Sequence, residues 1–290
     1  MNLRDISSGD GTRGGLTLKM LRQYEIPVPP LDVQREVVRV LDSFAELEAE
    51  LEAELEARRA QYAHYRDELL SRESLEAMAG GEVEIVELGA AGSFYGGLSG
   101  KSKDDFADGN ALFVPYTNVY NNVSIDFSDL SPVRVSEGER QHELHRGDVL
   151  VTGSSETPDD CGMTSVVMEE PEEKLYLNSF CFGWRPNAAY ADKLEPGFLK
   201  YAMRAYDARK QIVKTTNGVT RFNISKKSFA RVTIPVPPLS VQRQVVDILD
   251  RFDALTTSLT DGLPAEIEAR RQQYEHYRDR LLDFPRKEVA

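Results

Sequence analysis

The sequence lacks the features of several large classes of protein. Its only two cysteines, Cys161 and Cys181, are too few for a disulfide scaffold or a zinc cluster. No apolar run approaches the roughly 18 residues that a membrane span needs, and residues 1–15 contain no hydrophobic core of a signal peptide. We therefore expect a cytoplasmic protein without a membrane segment, whose cysteines are reduced and buried.

The motifs of nucleotide and methyl-transfer chemistry are also missing. YGGLSGKS at 95–102 comes near a phosphate-binding loop, but Tyr95 stands where that loop needs its first glycine. No Asn/Asp-Pro-Pro-Tyr/Phe methyltransferase motif occurs. PDDCGM (158–163) and EEPEEK (169–174) fit the loose pattern of a metal-dependent nuclease, but both have the composition of loops. We expect no catalytic residue, no metal and no cofactor, and an enzyme that acts on DNA by itself is the alternative.

The sequence does contain a long internal repeat. EIPVPPLDVQREVVRVLD at 25–42 returns as TIPVPPLSVQRQVVDILD at 233–250, and EARRAQYAHYRDELL at 56–70 returns as EARRQQYEHYRDRLL at 268–282. The second copy is longer between these two segments by about one helical turn, which keeps a helix face roughly in phase. The duplicated unit is therefore a helix with its entry segment.

Each copy predicts a proline-rich extended connector followed by a long helix. The prolines of 27–30 remove amide donors and fix the backbone, which excludes a central strand or a helix interior. From Leu31 to Leu69 apolar residues recur at steps of three and four, and the intervening AELEAELEAELEARR is too acidic to be buried. We expect the two helices to form an antiparallel coiled coil. Separate packing of each helix on the middle domain is the alternative.

The middle of the chain has a different pattern, with short β-rich runs separated by Gly, Asn, Asp and Pro. These runs are EVEIVEL (82–88), ALFVPYTNVY (111–120), DVLVTG (148–153), TSVVMEE (164–170) and KLYLNSFCFGW (174–184). One helix is expected over 197–213. The predicted fold class is α+β, with one mixed α/β domain and two long helices.

The charge is distributed unevenly along the chain. The net charge of −13 argues against a nucleic-acid partner. Residues 31–87 hold 16 acidic and 6 basic side chains, however, whereas residues 200–231 hold 9 basic and 1 acidic. A basic block inside an acidic chain indicates contact with nucleic acid, and a solvated surface face is the alternative.

The second repeat and the segment before it resemble a known family. NGVTRFNISKKSFARVTIPVPPLSVQRQVVDILDRFDAL (217–255), the helix at 263–284 and HRGDVLVTGSS (145–155) are similar to the specificity (S) subunit of type I restriction–modification enzymes. The resemblance implies target-recognition domains that alternate with conserved helices. It also implies a non-catalytic DNA-binding role, with double-stranded DNA, methyltransferase (M) subunits and a restriction/translocase (R) subunit as partners.

The resemblance also divides the chain. It implies a first-domain remnant at 1–30, a spacer helix at 31–75, a target-recognition domain at 76–232 and a second spacer helix at 233–290. Only about 30 residues stand where a complete first domain belongs, so the reading frame is either truncated or one cassette of a shuffling locus. One recognition domain per chain predicts a homodimer, at least in the complex, or pairing with another S fragment.

DNA binding by such a domain needs cations for phosphates and polar side chains for base edges. The basic, turn-rich stretch 214–227 supplies the first candidates: Lys214, Thr216, Asn217, Arg221, Asn223, Lys226 and Lys227. Earlier positions add further candidates for base reading: Lys101, Lys103, Tyr116, Asn118, Ser154 and Ser155. Arg221 recurs as Arg13 in the first copy, so we expect it to have a shared role, in phosphate contact or in packing.

Overall fold

The computed structural model describes residues 17–22, 26–257 and 262–284. The expected remnant at 1–30 therefore falls largely outside the described residues. The chain divides into two compact units, one formed by residues 1–55 and 259–290 and the other by residues 56–258. Helix α2 (Leu31–Leu69) contributes residues to both units.

The remaining elements follow in chain order. The helices are α1 (Leu18–Arg22), α3 (Arg72–Ala79), α4 (Leu88–Ala91), α5 (Tyr116–Asn121), α6 (Pro196–Ala202), α7 (Tyr206–Val213), α8 (Lys226–Phe229), α9 (Leu239–Thr257) and α10 (Leu263–Leu282), with a 3₁₀ turn at Lys103–Phe106. The strands are β1 (Glu84–Glu87), β2 (Gly92–Gly96), β3 (Ala111–Val114), β4 (Ser131–Val133), β5 (Val149–Thr152), β6 (Ser154–Ser155), β7 (Thr164–Val166), β8 (Leu175–Leu177), β9 (Cys181–Pro186), β10 (Thr216–Asn217), β11 (Phe222–Ile224) and β12 (Thr233–Val236).

In the first unit, α2 and α10 form an antiparallel pair. The ring of Phe44 stacks on that of Tyr277, with centroids 5.3 Å apart. The Arg271 guanidinium donates to the carboxylates of Glu48 and Glu52, both at 2.6 Å. Contacts thus move forward along α2 as they move back along α10. The predicted antiparallel helix pair is confirmed.

Both repeat copies contain a break in the helix. In the second copy, α9 ends at Thr257 and α10 begins at Leu263 with Pro264 in its first turn, a position that tolerates the missing amide of proline. In the first copy, the helix expected to reach residue 75 ends at Leu69. The Ser71 side chain accepts the backbone N–H of Ser74 and starts α3 as a separate helix, because a serine hydroxyl at an N-cap satisfies an otherwise unpaired amide.

The 56–258 unit is the mixed α/β domain that the sequence predicts. It also includes the last part of α2 and all of α9. Within the residues that the structure describes, its strands form four small sheets in the orders β2-β9-β5-β7, β4-β3-β8, β10-β11-β6 and β1-β12. All pairs are antiparallel except β3 with β8. Trp184 lies fully buried in the core and donates its indole N–H to the Leu88 carbonyl at 2.8 Å. The fold class is α+β.

Two local predictions are wrong. The end of the run ALFVPYTNVY is helical, because Pro115 closes strand β3 and α5 starts at the next residue. The single helix expected over 197–213 is two helices, α6 and α7. Ala205 between them takes an extended backbone (φ −67°, ψ 156°) that ends the helical hydrogen-bond pattern.

The second connector and α9 are built into this unit. Strand β12 pairs with β1, so that Ile234 lies opposite Val86. The buried Gln242 side chain donates to the carbonyls of Lys193 and Pro237, both at 2.7 Å, and accepts the Glu195 N–H at 2.8 Å. One amide therefore joins the connector, α9 and the start of α6.

The first repeat provides a matched control for Gln242. Its equivalent, Gln34, donates to the Pro29 carbonyl at 2.7 Å in a half-exposed setting. Gln242→Ala leaves three backbone groups without their partner, the carbonyls of Lys193 and Pro237 and the Glu195 N–H, so we expect the free energy of unfolding to fall by about 1–3 kcal/mol. Gln34→Ala should have a clearly smaller effect. Denaturant titration of both variants measures the difference, and equal losses would contradict the assigned role of Gln242.

Candidate nucleic-acid interface

The sheet β10-β11-β6 gathers residues that lie far apart in sequence. Ser154 lies opposite Asn223, and Asn223 lies opposite Asn217 on the other side. The Tyr116 hydroxyl reaches the sheet from α5 and donates to the Ser154 carbonyl at 2.7 Å. Seven predicted site residues are thereby brought together: Tyr116, Ser154, Ser155, Thr216, Asn217, Arg221 and Asn223.

Arg221 is held at the edge of this sheet. Its guanidinium donates to the Ser154 hydroxyl at 3.0 Å and lies 5.6 Å from the centroid of the Phe180 ring. The preceding turn contains Gly218 with φ +138°, where a Cβ would lie 2.0 Å from the Arg221 carbonyl oxygen. Only glycine fits this backbone. The tight turn therefore sets the position of Arg221.

A cleft of about 570 Å³ opens beside the sheet. Its lining residues are Tyr116, Tyr120, Ser154, Ser155, Glu156, Thr157, Asp160, Phe180, Thr220 and Arg221. The rings of Tyr116 and Tyr120 stack with centroids 6.1 Å apart. Sequence reasoning missed Tyr120, Asp160 and Phe180. The i,i+4 tyrosines of YTNVY would have identified the pair if that run had been assigned to a helix.

The cleft contains a carboxylate and two phenols whose protonation states at neutral pH follow from their pKa shifts. Hydrogen bonds from the Thr157 hydroxyl and then from Tyr120 lower the pKa of Asp160. The bond to Asp160 in turn raises the pKa of Tyr120, and burial raises the pKa of Tyr116. At neutral pH the carboxylate is charged and both phenols are protonated. Donors and acceptors of this kind can pair with the edges of bases.

The basic block 200–231 does not form one surface. Arg204 is half-buried and donates to four backbone carbonyls, those of Val119, Tyr120, Asn122 and Thr164. Burial lowers the pKa of Arg204 to about 10. The Lys200 side chain, 11% exposed, pairs with Asp250 at 2.7 Å. These two cations are paired inside the fold. For them, neither the predicted contact with nucleic acid nor the alternative of a solvated surface face describes the structure.

Arg209 has the same kind of role behind a loop that lines the cleft. Its guanidinium donates to the carbonyls of Asp159, Cys161 and Gly162, and burial lowers its pKa. These three carbonyls belong to the loop that carries Asp160. Arg209 therefore holds the loop that forms part of the cleft lining.

The remaining predicted lysines are exposed next to the sheet. Lys214 directly follows α7 and comes just before β10. Lys226 and Lys227 open α8, directly after Ser225, whose hydroxyl accepts the Ser228 N–H. All three side chains are exposed. Exposed lysines thus lie both before and after strands β10 and β11 in the sequence.

Two predicted site residues serve the fold instead. Asn118 is fully buried, and its amide bonds to the backbone of Asp126 and Asp129. The Lys101 side chain is 7% exposed and donates at 2.6 Å both to Glu139 and to the Arg134 carbonyl. A single sequence gives no sign that either group is already paired.

Two further predictions concern residues away from the sheet. Lys103 is exposed on the 3₁₀ turn at Lys103–Phe106, in a loop whose Asp105 carbonyl accepts the Arg134 N–H at 2.7 Å. Arg13, the repeat equivalent of Arg221, lies outside the described residues. The candidate interface is therefore defined without either residue.

Neither a metal site nor a membrane helix occurs in the described part of the chain. Over residues 17–22, 26–257 and 262–284, no group of three or more His, Cys, Asp or Glu side chains is arranged to hold a metal ion. No helix in those ranges is long and apolar enough to span a bilayer. Lys174, the lysine of the nuclease-like pattern, pairs with Glu143 at 3.0 Å.

The fold combines a long helix pair with a mixed domain, and that domain contains a polar sheet flanked by exposed lysines. A family model identifies the class of protein to which this combination belongs. The model described as the type I restriction modification DNA specificity domain matches residues 2–57 and 99–269. This chain belongs to that family. The resemblance inferred from the repeat is confirmed.

Individual relatives agree with this assignment. The EcoR124I/EcoR124II specificity subunit of Escherichia coli is 33% identical over 306 residues, covering 99% of this chain and 69% of the relative. A putative type I restriction enzyme specificity subunit of Haemophilus influenzae is 30% identical, covering 94% of this chain and 67% of the relative. The chain thus spans about two thirds of the length of these relatives.

Solved structures share the fold. A chain from a study of complex assembly in a type I restriction–modification system superposes with a TM-score of 0.60 at 20% identity, covering 97% of this chain and 65% of that one. The HsdS subunit from Thermoanaerobacter tengcongensis gives a TM-score of 0.52 at 20% identity, with coverage of 95% and 64%.

The hydrogen bonds from Arg209 to the loop that carries Asp160 give a testable prediction. Arg209→Ala leaves three loop carbonyls without their donor. We expect faster hydrogen exchange in residues 157–163 and a loss of about 2 kcal/mol or more in stability, since hydrogen bonds to a charged group contribute roughly 1.5–3 kcal/mol each. The neighbouring exposed Lys210→Ala is the matched control and should leave exchange unchanged. Identical exchange in both variants would show that Arg209 does not hold the loop.

Proposed function

We propose that this chain is the non-catalytic subunit that selects the DNA sequence for a type I restriction–modification system. The observation that carries the proposal is the β10-β11-β6 sheet, which joins seven polar or cationic residues beside a cleft and is flanked by exposed lysines. Lys214, Lys226 and Lys227 contact phosphates and set the register on the duplex. Groups of the cleft and the sheet read base edges.

The family assignment supports the division of labour with other subunits. Relatives carry the name of specificity subunits, so methyl transfer and cleavage belong to separate M and R subunits in our proposal. The helix pair of α2 and α10 is the docking element for M subunits, and the complex acts on double-stranded DNA in the cytoplasm. Purified chain incubated with DNA, Mg²⁺ and S-adenosylmethionine should neither cleave nor methylate, and activity without added subunits would refute this assignment.

The two repeat copies differ sharply in exposure, which supports docking of a second recognition domain on the first copy. The comparison covers three equivalent pairs from the connector and the helix start. Ile26, Val28 and Val33 are 69%, 77% and 41% exposed, whereas Ile234, Val236 and Val241 are 0%, 8% and 4% exposed. In the second copy these positions lie against the recognition domain. The same residues in the first copy are suited to the same kind of partner.

The choice of partner depends on whether its recognition domain has an uncovered face for the first repeat. Within this chain, the face that covers Ile234 and Val241 is already occupied by the second repeat. The recognition domain of a second copy already covers that copy's own second repeat. It could cover the first repeat of this chain in the same way only by releasing its own second repeat. Another S fragment with an unoccupied face needs no exchange. We therefore propose pairing with another S fragment, and the homodimer by exchange is the competing outcome.

The lysines predict how binding depends on salt. Lys226→Ala with Lys227→Ala should weaken binding to all DNA sequences alike. It should also reduce the slope of log affinity against log salt by about one for each lysine that touches a phosphate in the wild type. Lys174→Ala with Lys193→Ala changes the net charge equally and serves as the control. Equal effects of the two double variants would trace the change to net charge and refute the proposed phosphate contacts.

The exposed face of the first repeat predicts a second outcome. In cells that supply this chain, its M subunit and a second S fragment, Ile26→Asp with Val33→Asp should abolish methylation, because a charge at an interface core is costly to bury. Ile248→Asp, at an exposed position on α9, should leave methylation intact. An asymmetric bipartite site in the wild type supports another S fragment, and a symmetric site supports the homodimer. Methylation that persists in the double variant would refute docking on this face.

A further inference from the structure

Phe180 is an exposed aromatic residue held in a fixed place. It lies in the turn between β8 and β9, and 59% of its surface is exposed. Its N–H donates to the Asn178 side chain at 2.9 Å, and its carbonyl accepts the Gly153 N–H at 2.8 Å. Backbone hydrogen bonds on both sides of the ring thus restrict this turn, although the ring itself is exposed to water.

The contact between the turn and the sheet is unusually close. A Cβ at Gly153 would lie 2.7 Å from the Phe180 carbonyl oxygen, so a larger residue there would force the two segments apart. Gly153 directly precedes β6, which carries Ser154. The glycine therefore brings the exposed ring to the rim of the cleft that Ser154 lines.

Arg221 fixes the orientation of the ring. Its guanidinium lies 5.6 Å from the ring centroid, a cation–π distance, and is itself anchored to the Ser154 hydroxyl at 3.0 Å. The stacked rings of Tyr116 and Tyr120 line the same cleft. Three aromatic rings thus line the cleft, and that of Phe180 is exposed to solvent.

We propose that Phe180 contacts bases directly and determines specificity at one or two base pairs of the site. This inference rests on the proposed recognition of DNA by this sheet. A phenyl ring forms no hydrogen bond to phosphate, so its contribution would arise from base edges or base faces. It discriminates by apolar contact with the thymine methyl group or by partial insertion at a flexible step.

The test uses the chain assembled with its M subunits and a pool of duplexes with randomised sequence. Phe180→Ala should keep its affinity for bulk duplex DNA and its salt slope. Its preference at one or two positions of the selected site should fall roughly five- to hundred-fold, the range expected for one base contact. Phe180→Trp should restore much of the preference. Phe127→Ala removes another exposed phenylalanine, one that lines a different cleft, and should select the wild-type site.

Two probes then separate the modes of contact. Replacing thymine by uracil at the affected position should reproduce the loss if the ring contacts the methyl group. A 2-aminopurine placed there should brighten on binding if the ring enters the stack. If Phe180→Ala selects the wild-type site with undiminished preference, the inference is overturned while DNA recognition stands. A wild-type complex without any sequence preference would overturn the proposed function itself.

Discussion

Much of the recognition domain depends on two arginines that donate to backbone carbonyls. A guanidinium that leaves water must exchange its hydration for well-placed acceptors, or its burial costs more than packing can offset. Arg204 meets this requirement with four carbonyls from α5, its following loop and β7, and Arg209 with three from the loop that carries Asp160. Both extend from the region of α6 and α7. The walls of the cleft are thus positioned by charges that do not line it themselves.

The two repeat copies show which structural features a local sequence determines and which depend on its neighbours in the fold. IPVPP followed by an apolar-periodic helix gives an extended connector and a helix start in both copies, because proline and the 3.6-residue period act locally. Burial does not repeat with the sequence, however. Gln34 and Gln242 both donate to a connector carbonyl, yet only Gln242 also bonds to the start of α6. Local chemistry fixes the element, and the partner decides which faces are covered.

The same distinction separates what could be predicted from what could not. The helices, the connectors and the polar stretch around β10 and β11 follow from periodicity, proline and turn chemistry, all of which are local signals. Asn118 and Lys101 were misjudged because their acceptors lie in loops that only tertiary folding brings near. Phe180 was missed for the opposite reason. A phenylalanine in a β-rich run predicts burial, and only the turn around it leaves the ring exposed.

The proposed interface combines two kinds of group with different physical roles. Exposed lysines on flexible stems can follow a phosphate backbone of any sequence, which gives affinity without selection. Ser154, Tyr116 and Asp160 are each held by hydrogen bonds inside the domain, so little conformational entropy remains for them to lose on binding. A wrong base then meets donors and acceptors that cannot rearrange to suit it. In the proposed interface, hydrogen-bonded readers beside exposed lysines would allow a domain within a net acidic chain both to hold DNA and to discriminate its sequence.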